Sequence, residues 1–170
     1  MTANGFTYAE VGASARSGTV PGYWTVDRSA RLGRGREVFD LARHRIRTWE
    51  MHRRAGIDVH SAAPTVDIDQ DVILWFRWGP VRVGAPCRVV YVIDEPNRVG
   101  FAYGTLAGHP ERGEEAFAVA IDADGLVTAR IWGFSRPASV LGRLDAAAGH
   151  LVQRRILRRY LAGLVEVETR

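Results

Sequence analysis

The sequence predicts an α+β domain in which one antiparallel sheet of about six or seven strands is crossed on its concave face by a long C-terminal helix. Three observations predict it. From Asp71 onward apolar residues alternate with a period of two, as strands require when successive side chains point to opposite faces. The breaks between these runs are short and turn-forming: Asp94-Glu95-Pro96-Asn97 and Asp122-Ala123-Asp124-Gly125. Connections of hairpin length make neighbouring strands antiparallel. Beyond Pro137 the apolar spacing returns to three and four, the period of a helix with one buried stripe.

Composition sets the outer bounds. A chain of 170 residues suits one domain spanning 1–170, able to bury roughly 70% of its unfolded surface without a disulfide or structural metal. With 46% hydrophobic and 25% charged residues, it reads as globular rather than disordered. Cys87 is the single cysteine, which excludes an intrachain disulfide and suits a reducing compartment. The N-terminus lacks the basic and apolar regions of a secretory signal, and no run reaches the roughly 18 apolar residues of a spanning helix. The expected location is the cytoplasm.

All 23 basic residues are arginine, yet net charge is only +4. Biased codon usage in a GC-rich genome explains such a bias better than phosphate recognition does, and nucleic acid is not favoured as a partner. Eight of the arginines fall in Arg31–Arg54, while Asp67, Asp69, Asp71, Asp94 and Glu95 make the middle acidic.

The elements follow in order. Residues 1–21, rich in Gly, Ala, Ser and Thr, read as an irregular surface segment. Tyr23–Leu32 reads as a first strand. A helix is expected from about Gly35 to Ala55, with Val38, Phe39, Ala42, Ile46 and Trp49 on its apolar stripe and Gly56 as its left-handed cap. Strands follow over Val72–Arg77, Cys87–Ile93, Arg98–Leu106, Glu115–Ile121 and Leu126–Phe134. The last helix starts near Pro137, whose missing N–H costs nothing in a first turn. Its roughly 28 residues would make a rod of about 42 Å, enough to cross the sheet.

Pairing Gly104 with Ala116 would set Ala102 against Ala118 and Gly100 against Ala120. Val99, Phe101, Tyr103, Phe117, Val119 and Ile121 would then share the opposite face. One face is bulky and the other nearly bare, so the bare face either admits a closely packed element or leaves room for a ligand; close packing is the simpler reading.

Strand, helix, several antiparallel strands and a terminal helix is also the order of the helix-grip fold shared by START, polyketide-cyclase and Bet v 1-like proteins. The motifs go further. Tyr8-Ala-Glu-Val-Gly12, Pro21-Gly-Tyr23, Arg31-Leu-Gly-Arg-Gly35, Trp49-Glu-Met-His52 and Ala55-Gly56 are followed by Cys87-Arg-Val-Val-Tyr-Val-Ile-Asp-Glu-Pro96. Gly100-Phe-Ala-Tyr-Gly-Thr-Leu106, Gly108-His-Pro-Glu111, Gly113-Glu-Glu-Ala-Phe117, Phe134-Ser-Arg-Pro-Ala138 and Gln153 through Tyr160 complete the set. In these the chain closely resembles uncharacterised protein family 0548, which is grouped with the Bet v 1-like proteins. The resemblance implies the helix-grip fold but no activity, since the family has none established. Ala107 stands where that family is expected to carry proline, and His60–Gly84 match it poorly.

Two constellations could carry chemistry. In Gly108–Glu115, His109 lies beside Glu111, Glu114 and Glu115, and an imidazole with a carboxylate is the usual equipment for acid–base catalysis. The plain alternative is a solvated hairpin loop. Adjacent Glu114 and Glu115 must point to opposite faces of a strand, so one at most reaches a given pocket. Trp49, His52, Tyr91, Tyr103 and Arg136 are the residues that a helix-grip cavity could present to a ligand, although aromatic stripes are commonly core and Arg136 could simply anchor the last helix. No closed zinc pattern, P-loop or nucleophile elbow is present, and no cofactor is expected. Arg154, Arg155, Arg158 and Arg159 form a basic patch that is either a solvated face or a dock for nucleic acid or anionic lipid. Three functions compete: binding of a small apolar or amphipathic molecule; a cyclase- or hydrolase-like enzyme using a His/Glu pair in the same cavity; and an arginine-rich interaction module. The sequence does not choose an oligomeric state.

Overall fold

Seven strands pair into one antiparallel sheet in the order β1-β7-β6-β5-β4-β3-β2. They span Trp24–Arg34 (β1), Asp58–Ser61 (β2), Asp71–Trp78 (β3), Val81–Glu95 (β4), Arg98–Thr105 (β5), Glu111–Ile121 (β6) and Leu126–Pro137 (β7). The computed structural model describes residues 5–16, 18–78, 81–138 and 146–164. Helices α1 (Arg36–Arg47) and α2 (Glu50–Arg54) cross over between β1 and β2, and α3 (Ala146–Gly163) ends the described chain. With the helices packed on one face of the curved sheet, this is the helix-grip fold that the sequence predicts.

The central pair fixes the two faces. Phe101 lies opposite Phe117, Val99 opposite Val119, and Gly100 opposite Ala118. The register is two residues away from the expected one, since Gly104 meets Glu114 rather than Ala116. A slip of two preserves parity, so the face assignments survive it. The inner face joins Phe101, Tyr103, Phe117, Val119 and Ile131 to Phe39, Ala42, Ile46, Trp49 and Met51 in the main core. The outer face carries a second, smaller cluster of Phe6, Tyr8 and Phe134.

The bare outer face is covered, but not by a helix. The N-terminal segment, read from sequence as an irregular surface stretch, lies on it with Phe6, Tyr8 and Ser14 buried. Thr7 donates its backbone N–H to the Thr105 carbonyl at 3.1 Å, and a short 3-10 turn over Ala13–Ala15 packs against β6 and β7. Gly104 makes this approach possible. A Cβ there would sit 2.0 Å from the Tyr8 hydroxyl oxygen.

Three further expectations need correction. The helix from Gly35 to Ala55 is two helices, because Trp49 takes a left-handed conformation, φ 61 and ψ 7; Gly56 does adopt the positive φ expected of it. Strand β2 was not foreseen, since four residues carry too short an alternation to register. The last helix does not start near Pro137, which instead pairs with Glu111 at the end of β7. Residues 139–145, including Leu141, Gly142 and Leu144, lie outside the described residues. Helix α3 docks tightly on α2: a Cβ on Gly163 would come within 2.7 Å of the Met51 carbonyl oxygen.

The outer clip makes a direct prediction. Gly104→Ala should force Tyr8 off β5, costing about 1–3 kcal/mol as overpacking does. Amide hydrogen exchange should accelerate over residues 7–14 and not in α1. Unchanged protection of that segment would show that it is not held by this approach.

Candidate functional site

The inner face of the sheet changes character where it meets α2 and α3. Alternation along β6 sends Glu115 inward with Phe117 and Val119, while Glu114 faces outward with Ala116 and Ala118. Glu115 lies opposite Tyr103 of β5 and Gly133 of β7. The Tyr103 hydroxyl donates to its carboxylate at 2.9 Å. Tyr160, from α3, joins them, its ring 5.4 Å from Phe117. A carboxyl and two phenols thus link three elements on a face otherwise built of hydrocarbon.

His52 sits at the middle of that face. Its ring lies 4.8 Å from Tyr160, 5.2 Å from Trp49, 5.3 Å from Phe117 and 5.9 Å from Tyr103. Both ring nitrogens are buried with no hydrogen-bond partner among the described residues, and so is Nε1 of Trp49. Leaving such a group unpaired costs about 1–3 kcal/mol. The left-handed backbone of Trp49 adds a conformation that bulky residues rarely adopt. The break between α1 and α2 is what turns Trp49 and His52 toward one another and toward Phe101, 5.0 Å from Trp49.

Burial tunes the titrating groups. Glu115 is pushed up to about 7, first by desolvation and then by the neighbouring Glu111 carboxylate, against the Tyr103 hydrogen bond. Desolvation holds the His52 imidazole down at about 3, with the Arg53 charge adding to it. The same desolvation raises the Tyr103 and Tyr160 phenols and the Cys87 thiol well above their ordinary values. At neutral pH the face therefore holds a neutral imidazole, neutral phenols, an inert thiol and one carboxyl poised to ionise.

The residues singled out by sequence divide between the two faces. Trp49, His52, Tyr103 and Glu115 come together on the inner face. Tyr91 and Arg136 do not join them. Past the β-bulge between Val89 and Tyr91, the Tyr91 hydroxyl bonds Ser14 Oγ on the outer side at 2.9 Å. The Arg136 guanidinium stacks over Tyr23 at 4.5 Å, and it belongs to a strand, not to the start of a helix.

Glu114 anchors the N-terminal clip. Its carboxylate accepts from the Tyr8 hydroxyl at 2.8 Å, from the Gly12 N–H at 2.8 Å, from the Ser14 N–H at 3.0 Å and from Ser14 Oγ. His109 is half-buried in the β5–β6 loop, where its Nδ1 accepts the Glu111 N–H at 2.9 Å, and burial lowers it to about 4. The expected constellation of His109, Glu111, Glu114 and Glu115 is therefore dispersed, with Glu111 and Glu115 alone sharing the inner side of β6. Tyr160 was missed as a site residue because its helical spacing marked it only as core. On α3 Arg155, Arg158 and Arg159 are exposed; the side chain of Arg154 lies outside the described residues. No described helix is long and apolar enough to cross a membrane.

Comparisons with known proteins agree with the motif resemblance. A family model described as "Domain of unknown function (DUF1990)" matches residues 7–163. A UPF0548 protein from Deinococcus radiodurans is 35% identical over 170 residues, covering 94% of this chain and 85% of that protein. A UPF0548 protein from Arabidopsis thaliana is 29% identical over 128 residues, covering 66% of this chain and 58% of its own length. Among solved structures, a hypothetical protein from Helicobacter pylori superposes with a TM-score of 0.61 at 12% identity, covering 86% of this chain and 89% of that one. The last likeness concerns fold alone.

The buried acid and the buried base make opposite contributions to stability. Glu115 is raised from 4.5 to about 7, so the folded chain binds the extra proton and stability falls as pH rises through that window. His52 is lowered from 6.5 to about 3, so its contribution is present above 6.5 and lost as pH falls. Between 4.5 and 6.5 the two oppose each other. Replacing Glu115 by Gln isolates the acid. The stability of wild type relative to E115Q, from urea unfolding, should drop between about pH 4.5 and about pH 7; a constant difference would mean Glu115 titrates normally.

Proposed function

This chain belongs to the family described as a domain of unknown function (DUF1990), and from that premise we propose that it binds a small, apolar or amphipathic molecule on the inner face of its sheet, beneath α3. The observation that carries the proposal is the surplus of polar atoms on an aromatic face: the Glu115 carboxyl with Tyr103, and the unpaired nitrogens of Trp49 and His52. A folded core gains nothing from them. Recognition sites have this composition, mostly aromatic with a few polar groups that fix orientation. Partial exposure of Glu115 and Gly133, next to side chains that are wholly buried, marks where the face opens.

The enzyme reading moves with the geometry. A carboxyl titrating near 7 beside a phenol favours proton transfer at Glu115, where general acids and bases work best near the ambient pH. The roles first assigned to His109 and the neighbouring glutamates would then rest on Glu115 and Tyr103.

Native mass spectrometry tests the binding proposal. Protein purified from its own cells should carry a mass that denaturation releases as an identifiable small molecule. His52→Phe separates site from core. It removes two unsatisfied nitrogens and keeps an aromatic ring, so stability should hold or rise by about 1 kcal/mol, while the retained molecule falls several-fold. A variant destabilised by more than about 2 kcal/mol that still retains the molecule would make His52 a packing residue. A wild-type chain without any adduct would remove the basis of the proposal.

A further inference from the structure

We infer that the inner-face site takes an organic cation, an apolar or aromatic body carrying a protonated or quaternary nitrogen, with the nitrogen placed at Glu115 and the body against the rings of Tyr103, Phe117, Tyr160 and Trp49. This rests on the binding site proposed above and names its ligand class.

The distribution of charge argues for it. The chain has 23 basic residues, and the ion pairs among the described residues join several of them to surface acids. Arg43 and Arg47 reach Asp94, Arg45 and Arg54 reach Glu50, and Arg77 and Arg82 reach Asp58. Arg88 pairs with Asp71 and Arg130 with Asp27. None of these pairs involves Glu115. The charged group that acts on it is another carboxylate, Glu111, which disfavours a second negative charge. In so arginine-rich a chain, a carboxyl on the inner face whose near neighbours among the described residues are an acid and two phenols is complementary to a cation.

The groups facing Glu115 from each element support the same ligand. Glu111 shares β6 with it, Tyr103 comes from β5, Cys87 from β4 and Tyr160 from α3, and His52 of α2 packs against the Tyr103 and Tyr160 rings. His52 is neutral and wholly buried, and its nitrogens have no hydrogen-bond partner among the described residues; a neutral imidazole nitrogen accepts an N–H that an ammonium can donate. The rings present π faces, to which a desolvated cation is attracted. An anionic ligand would meet two carboxylates and no positive charge among these groups.

The binding step carries its own pH signature. A cation binds the ionised form of Glu115, which is about 7 in the free protein. For a ligand whose own charge does not change, affinity should therefore increase about tenfold from about pH 6 to about pH 8.

The experiment is calorimetric titration of the full chain with three probes of one shape: 4-phenylbutylamine, the neutral 4-phenyl-1-butanol and the anionic 4-phenylbutyrate. The amine should bind at least tenfold more tightly than the alcohol, with the carboxylate weakest. Glu115→Gln should erase the amine's advantage and the pH dependence together, with little effect on the alcohol. Should E115Q fail to fold, the amine-to-alcohol ratio and its pH dependence in the wild-type chain decide alone. Equal or tighter binding of the alcohol or the carboxylate overturns the cation assignment and leaves the binding site standing. If none of the three binds or changes the tryptophan fluorescence of the chain, both readings fall.

Discussion

The pairing of β5 with β6 puts the large apolar side chains of the two strands on one face and mostly glycine or alanine on the other, and the rest of the molecule is arranged around that asymmetry. Phe101 opposite Phe117 and Val99 opposite Val119 give the helices an aromatic wall against which to bury their apolar stripe. Gly104 and its small neighbours leave the reverse side thin enough for an extended segment to lie directly on the backbone. Strand alternation then compels Glu114 and Glu115, adjacent in sequence, to serve opposite faces. One organises the N-terminal clip; the other becomes the polar centre of the inner face.

The two carboxylates show how much surroundings matter to one chemical group. Glu114 is met by four donors, two hydroxyls and two backbone amides. Glu115 has one phenol, a neighbouring carboxylate and a low-dielectric setting, and it rises to about 7. Hydrogen bonds favour an anion where they are numerous, and desolvation disfavours it where they are few. The outer acid is a structural anchor. The inner one titrates near neutrality.

Cohesion around the inner site depends on two short-range devices. The left-handed Trp49 ends α1 and starts α2 within three residues, so that Trp49 and His52 both face the sheet. The contact of Gly163 with the Met51 carbonyl then lets α3 approach close enough for Tyr160 to reach Tyr103 and Phe117. Helix α3 thus packs on both α2 and the aromatic wall of the sheet.

Alternation, turn residues and helical spacing were enough to read the antiparallel sheet, the terminal helix and the parity of the β5 and β6 faces from the sequence alone. These are local properties, set by the period of the backbone and by which residues tolerate a turn. The motifs around Trp49, Cys87 and Gly100 also carried the family. What covers each face was decided only in the tertiary structure. The N-terminal segment has no periodicity of its own and is ordered by Glu114, about a hundred residues away, which no local pattern foretells. The same holds for the site. His109 and Glu114 are neighbours in sequence but part company in space, because one stays in a loop and the other turns to the outer face. Tyr160 joins Glu115 through a helix that comes back across the sheet. Sequence distance measures neither separation, so the partners of a buried carboxyl became visible only once the strands and helices had been brought together.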